Sequence, residues 1–102
     1  MPNRHKSYDD ELAKKFEDME FARNFLIMQT NQEGLPLDES LRETIKGMGL
    51  LSFSEKSGLS IQAVSDFVAD RQKWSTDKIL KKIAIVFNLK VKFSLVQSDF
   101  KN

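Results

Sequence analysis

Residues 50–74, LLSFSEKSGLSIQAVSDFVADRQKW, decide the fold, because they read as a helix, a turn and a second helix. Leu50, Phe53 and Ser54 give the first helix an apolar and small face. Gly58 suits the positive φ that ends a helix and redirects the chain, and Leu59 closes the corner from inside. Ser60 is placed to cap the second helix, its hydroxyl accepting from the free backbone donors of the following turn. From Ile61 to Ala69 two faces separate at helical spacing. Ile61, Val64, Phe67 and Val68 fall on the inner one, and Gln62, Ser65, Asp66 and Ala69 on the outer one.

A small, polar outer face is what a helix entering the DNA major groove needs, since its side chains must allow close approach and still reach base edges. Gln62 is the leading reader. A glutamine amide pairs with adenine through one donor and one acceptor, worth roughly 1–3 kcal/mol of discrimination. Two short helices joined at a glycine also occur in helical domains with no nucleic-acid role. Pattern alone therefore leaves a protein–protein interaction module open as the alternative.

Residues 41–91, LRETIKGMGLLSFSEKSGLSIQAVSDFVADRQKWSTDKILKKIAIVFNLKV, resemble the addiction-module antidote proteins, the HigA-like antitoxins of the Xre-type helix-turn-helix class. The features that match are the Leu41 to Ile45 helix ending at Gly49, the Phe53-Ser54 pair before Ser57-Gly58-Leu59-Ser60, and a final helix from Ile79 to Phe87 closing on Asn88-Leu89. Upstream, DDELAKKFEDMEFARNFLIMQ looks like the N-terminal helices of that family. There are departures. Such motifs usually carry alanine where this chain has Ser54, and the loop that often reads Gly-Asn-Pro is here Asp70-Arg71-Gln72-Lys73-Trp74. The recognition helix also lacks Lys and Arg and carries Asp66 on its outer face.

The resemblance implies an all-α, lambda-repressor-like helix-turn-helix bundle of about five or six helices. It implies a transcriptional regulator that binds a palindromic operator as a homodimer, represses its own operon and neutralises a small toxin. The partner in such pairs is typically a ribosome-dependent ribonuclease of the RelE and ParE type. Ser60, Gln62, Ser65 and Asp66 would then face base edges, with Arg71 and Lys73 on flanking phosphates. Phe16, Met19, Phe21, Phe25 and Met28 are the expected partner-binding surface, because the other end of the molecule is committed to DNA.

At 102 residues the chain makes one domain, and a chain of this size buries roughly 60–70% of its unfolded surface. Expected boundaries are a flexible N-terminal tail over residues 1–8, the helix-turn-helix domain with its helical extension over 9–96, and a second flexible tail over 97–102. Cysteine is absent, which excludes disulfides and thiolate metal sites. No apolar run approaches the ~18 residues of a spanning helix, and MPNRHKSYDD lacks the apolar core of a secretory signal. A cytoplasmic protein is expected, with no membrane partner. His5 is the single histidine, and no glycine-rich phosphate loop or paired apolar carboxylates accompany it. Neither an enzyme nor a cofactor is expected.

The net charge of +1 hides an uneven distribution. Residues 1–34 hold 5 basic against 7 acidic side chains, residues 35–70 hold 3 against 6, and residues 71–102 hold 8 against 2. The basic third follows the recognition helix, beginning with Arg71, Lys73, Lys78, Lys81 and Lys82. Phosphate contacts from such residues would supply the affinity that the recognition helix does not, whereas Lys81 and Lys82 taken alone read as a solvated helix face.

Asp9 or Asp10 is placed to cap a first helix carrying Leu12 and Phe16, and Asp18 a second one that Gly34 and Pro36 stop. Phe16, Met19, Phe21, Phe25, Ile27 and Met28 exceed what one face of a surface helix buries, and Met with Phe suits an adaptable protein-binding surface. Leu37, Leu41, Ile45 and Met48 share one face of a third helix, and Ser75 caps a last one with Ile79, Ile83 and Val86 inward. Trp74 is expected to pack over that last helix, with contact to a phosphate or sugar edge from beside Arg71 and Lys73 as the alternative. From Leu89 the pattern alternates through Val91, Phe93 and Leu95, which predicts a short strand that either pairs with a partner strand across a dimer or extends along the domain surface with its groups in water.

Overall fold

The computed structural model describes residues 11–92 together with Leu95 and Gln97. Among them the chain is all-α, with α1 over residues 11–16 followed by α2 (Met19–Asn31), α3 (Leu37–Met48), α4 (Leu50–Ser57), α5 (Ile61–Val68) and α6 (Thr76–Phe87). Local chemistry sets the starts of three of them. The Asp18 carboxylate accepts from the Glu20 amide at 2.9 Å, and the Ser60 and Ser75 hydroxyls accept from the amides of Ala63 and Lys78 at 3.1 Å each. Each bond satisfies a donor that the first helical turn leaves unpaired.

α3 is the hub, touching α2, α4, α5 and α6. Leu41 and Ile45 on its inner face are fully buried, and they meet Phe53 of α4, Val64 and Phe67 of α5, and Ile83 and Phe87 of α6 in one core. Trp74, in the α5–α6 connection, belongs to that core. Its indole stacks on the Phe67 ring with centroids 3.9 Å apart and planes 7° from parallel, so its principal partner is α5 rather than the last helix. Lys78 of α6 lies over the same indole at 4.7 Å.

The N-terminal aromatics are used differently from expectation. Phe16 is only 3% exposed, and its ring packs edge-on against Phe21 at 4.9 Å and Phe25 at 5.0 Å. It is a core residue, so it does not offer a partner-binding surface. Met19, Phe21, Phe25 and Met28 are half-buried, the first three packed against the same core. Much of the apolar surplus read from the sequence is therefore absorbed inside the chain, where α1 folds back under α2 and α3.

Two other expectations change. Ile61, placed on the inner face by spacing, is 48% exposed. It lies in the first turn of α5, and helical side chains lean toward the N-terminus, which carries this one past the edge of the core. The short strand does not form over residues 89–92. Leu89 and Val91 do alternate, half-buried, with exposed Lys90 and Lys92, but no strand lies beside them among the described residues to complete a ladder. Phe93 and Ser94 lie outside the described residues, as do the expected tail over 1–8, the Asp9 and Asp10 caps, and all of 97–102 except Gln97. No helix among the described residues is long and apolar enough to cross a membrane.

Gly47, inside α3, faces the Phe16 ring so closely that a Cβ there would collide with three of its ring carbons. Alanine in a helix interior ordinarily stabilises by about 1 kcal/mol over glycine. Here overpacking against a buried ring costs about 1–3 kcal/mol and reverses the sign. Chemical denaturation of Gly47→Ala should show a net loss of stability, and a gain would mean that α1 is not seated on α3.

Candidate nucleic-acid interface

The α4–α5 corner is built by serines and one glycine. Gly58 takes φ +78 and donates its amide to the Ser54 carbonyl at 3.0 Å, ending α4. The buried Ser54 hydroxyl donates to the Leu59 carbonyl, and the Leu59 amide donates to the Ser57 hydroxyl at 3.3 Å. Ser54 thus makes a bond that an alanine at this position would lack. From α6, the Lys82 ammonium donates to the Ser57 carbonyl at 3.1 Å, where the negative end of the α4 dipole favours a cation.

On the outer face of α5, four of the six expected DNA-contact residues form one network. Gln62 Nε2 donates to Asp66 Oδ1 at 3.0 Å, and Arg71 Nε donates to the same oxygen at 3.0 Å. Arg71 Nη2 donates to Ser65 Oγ at 3.2 Å. The amides of Arg71 and Gln72 both donate to the Asp66 carbonyl, at 2.8 and 3.1 Å, folding the loop onto the last turn of the helix. Ser60 stands one turn earlier, exposed, with its oxygen engaged as the cap. Lys73 is exposed further along the loop and makes no ion pair among the described residues. The negative charge that Asp66 puts on this face is thereby offset locally by Arg71. Trp74 is 7% exposed and withdrawn from this surface.

Sequence reading missed the residue that orients α5. Arg42 of α3 donates through Nε to the Phe67 carbonyl at 2.8 Å, through Nη2 to Asp70 at 3.1 Å and through Nη1 to Asp38 at 3.2 Å. Its guanidinium carbon lies 4.5 Å from the centre of the Phe67 ring. One side chain thus neutralises the C-terminal end of α5 and covers its principal core residue. Asp70 has φ +61, an uncommon conformation for a residue with a side chain, and its ion pair with Arg42 helps hold it there. The Asp38–Arg42 spacing is legible as a helical ion pair, but nothing local announces the bonds to Phe67 and Asp70.

Comparison with protein-family models, curated proteins and solved structures found no match.

Arg42→Ala should destabilise the fold by about 1.5–3 kcal/mol, the range for hydrogen bonds to charged groups. Arg42→Lys should recover little, because a single ammonium cannot serve three acceptors in the planar fork geometry. Denaturant titration reads both. Wild-type stability in Arg42→Lys would show that charge, rather than the fork, holds α5.

Proposed function

We propose that this chain is a sequence-specific DNA-binding transcriptional regulator in which α4 and α5 act as the helix-turn-helix of a lambda-repressor-like bundle, with α5 as the recognition helix. The observation that carries the reading is the outer face of α5. It is short and polar, it starts at a capped end beside an exposed Gln62, it is flanked by Arg71 and Lys73, and its orientation is fixed to the core by Arg42. The N-terminal part of such a helix enters the major groove, which puts Ser60 and Gln62 deepest. Ile61, half-exposed beside them, supplies an apolar surface of the kind that meets a thymine methyl. Arg71 and Lys73 lie on the flanking backbone, where contacts add affinity without reading sequence.

A homodimer on a palindromic operator completes the reading, with its two recognition helices about 34 Å apart on one DNA face. The antitoxin role rests on the resemblance to addiction-module antidote proteins. In that role the toxin would meet the α1–α2 end, where Met19, Phe21, Phe25 and Met28 keep part of their surface exposed. One observation favours the other reading, an interaction module that keeps the fold without binding DNA: the outer face of α5 bears no cation of its own, and its single charge is acidic.

Selection of duplexes from a random pool, followed by salt titration, tests the proposal. The wild type should enrich a palindrome and bind it more tightly than scrambled DNA. Gln62→Ala should lose about 1–3 kcal/mol at one base pair of each half-site. Lys73→Ala should weaken all duplexes alike and lower the salt slope by roughly 0.9 per site. Absence of binding even at low salt would transfer the assignment to the interaction module.

A further inference from the structure

Asp66 sits at the centre of the network on α5, and its geometry fits a role other than touching a base. We propose that Asp66 is a positioning residue that sets sequence specificity, orienting the Gln62 amide while restraining Arg71 from indiscriminate attraction to phosphate. The proposal rests on the DNA-binding reading above. An ionised carboxylate only accepts hydrogen bonds, so the Gln62 atom 3.0 Å from Oδ1 must be the amide nitrogen. That fixes which way the amide points. One N–H and the carbonyl oxygen stay free, the donor and acceptor that an adenine edge takes in the major groove. An exposed glutamine without this partner turns its amide freely and presents oxygen and nitrogen interchangeably.

The same oxygen holds Arg71 Nε at 3.0 Å, and Ser65 Oγ holds Nη2 at 3.2 Å. The sequence-independent part of DNA affinity grows with the number of phosphates that cations neutralise. An arginine already paired with a carboxylate contributes less to that term. Asp66 therefore acts in two ways in one direction: it sharpens base reading through Gln62 and lowers background affinity through Arg71. A carboxylate that only decorated the helix surface would affect melting temperature slightly and leave both DNA readouts unchanged.

The test uses the full chain as wild type, Asp66→Ala and Asp66→Asn, with Glu43→Ala as a control for bulk charge, since Glu43 pairs with Lys46 on α3. Thermal melting establishes that each variant is folded. Binding is measured over a range of salt to the tightest duplex selected from a random pool, to single base-pair variants of it, and to a scrambled duplex. Asp66→Ala should bind the scrambled duplex more tightly than wild type does, with a salt slope steeper by roughly 0.9 per site as Arg71 is released. The mismatch penalty at the Gln62 base pair, roughly five- to 150-fold in wild type, should fall toward one. Asp66→Asn removes the charge and should steepen the slope, and because its amide donates as well as accepts it fixes Gln62 less strictly, so the mismatch penalty should fall between those of wild type and Asp66→Ala. Glu43→Ala should change neither the slope nor the penalty. An unchanged penalty in Asp66→Ala would overturn the positioning role. Loss of affinity for the selected duplex alone, with scrambled DNA unaffected, would make Asp66 a direct base reader and also overturn it. Failure of the wild type to bind any duplex would instead refute the DNA-binding reading beneath it.

Discussion

Phe67 and the guanidinium above it are the point on which the rest of the structure depends. α5 has eight residues, too few to be stable as an isolated helix in water. It exists because Val64 and Phe67 are buried in the core against α3 and α4, and because its C-terminal end is closed from outside. Arg42 supplies that closure through the Phe67 carbonyl while lying against the Phe67 ring, and Trp74 stacks on the same ring. A helix whose last turn is gripped in this way has one orientation. The direction in which its outer residues point is then set by the core rather than by the loop that follows.

The grip on α5 is one of three with the same logic. Arg23 of α2 donates to the Phe87 carbonyl at the end of α6 at 2.7 Å, and Lys82 of α6 donates to the Ser57 carbonyl at the end of α4. In each case a cation from one helix satisfies carbonyl groups that another helix leaves open and meets the negative end of its dipole. Such bonds tie elements that are distant in sequence. They also commit basic side chains to holding the fold, so Lys82, one of the basic cluster read from the sequence, is partly engaged in structure.

What was legible in the sequence was local. Ser60, Ser75 and Asp18 announced their helices because a cap needs only a hydroxyl or carboxylate before an apolar period. The glycine corner at Gly58 and the inner stripes of α3 and α6 were legible for the same reason. The outer face of α5 was legible as polar. Its hydrogen-bond network was not, because the Arg71 contacts depend on how the loop folds back over the last turn. Arg42 was hidden by separation, since it meets Phe67 and Asp70 at 25 and 28 residues' distance. Phe16 misled for a related reason. A phenylalanine at the end of a short helix reads as surplus until the missing Cβ of Gly47 is seen to make room for its ring. The alternation that starts at Leu89 specifies only two faces, and a strand also needs a neighbour, which residues 89–92 do not have among the described residues.

The end of the bundle that bears the outer face of α5 is the surface proposed to meet DNA. Backbone amide resonances of the labelled full chain, followed during titration with a duplex selected from a random pool, test it most directly. The shifts should concentrate at Ser60 to Ser65 and at Arg71 to Lys73, with the exposed side of α2 unaffected. Shifts confined to α1 and α2, or none at saturating duplex in low salt, would contradict it.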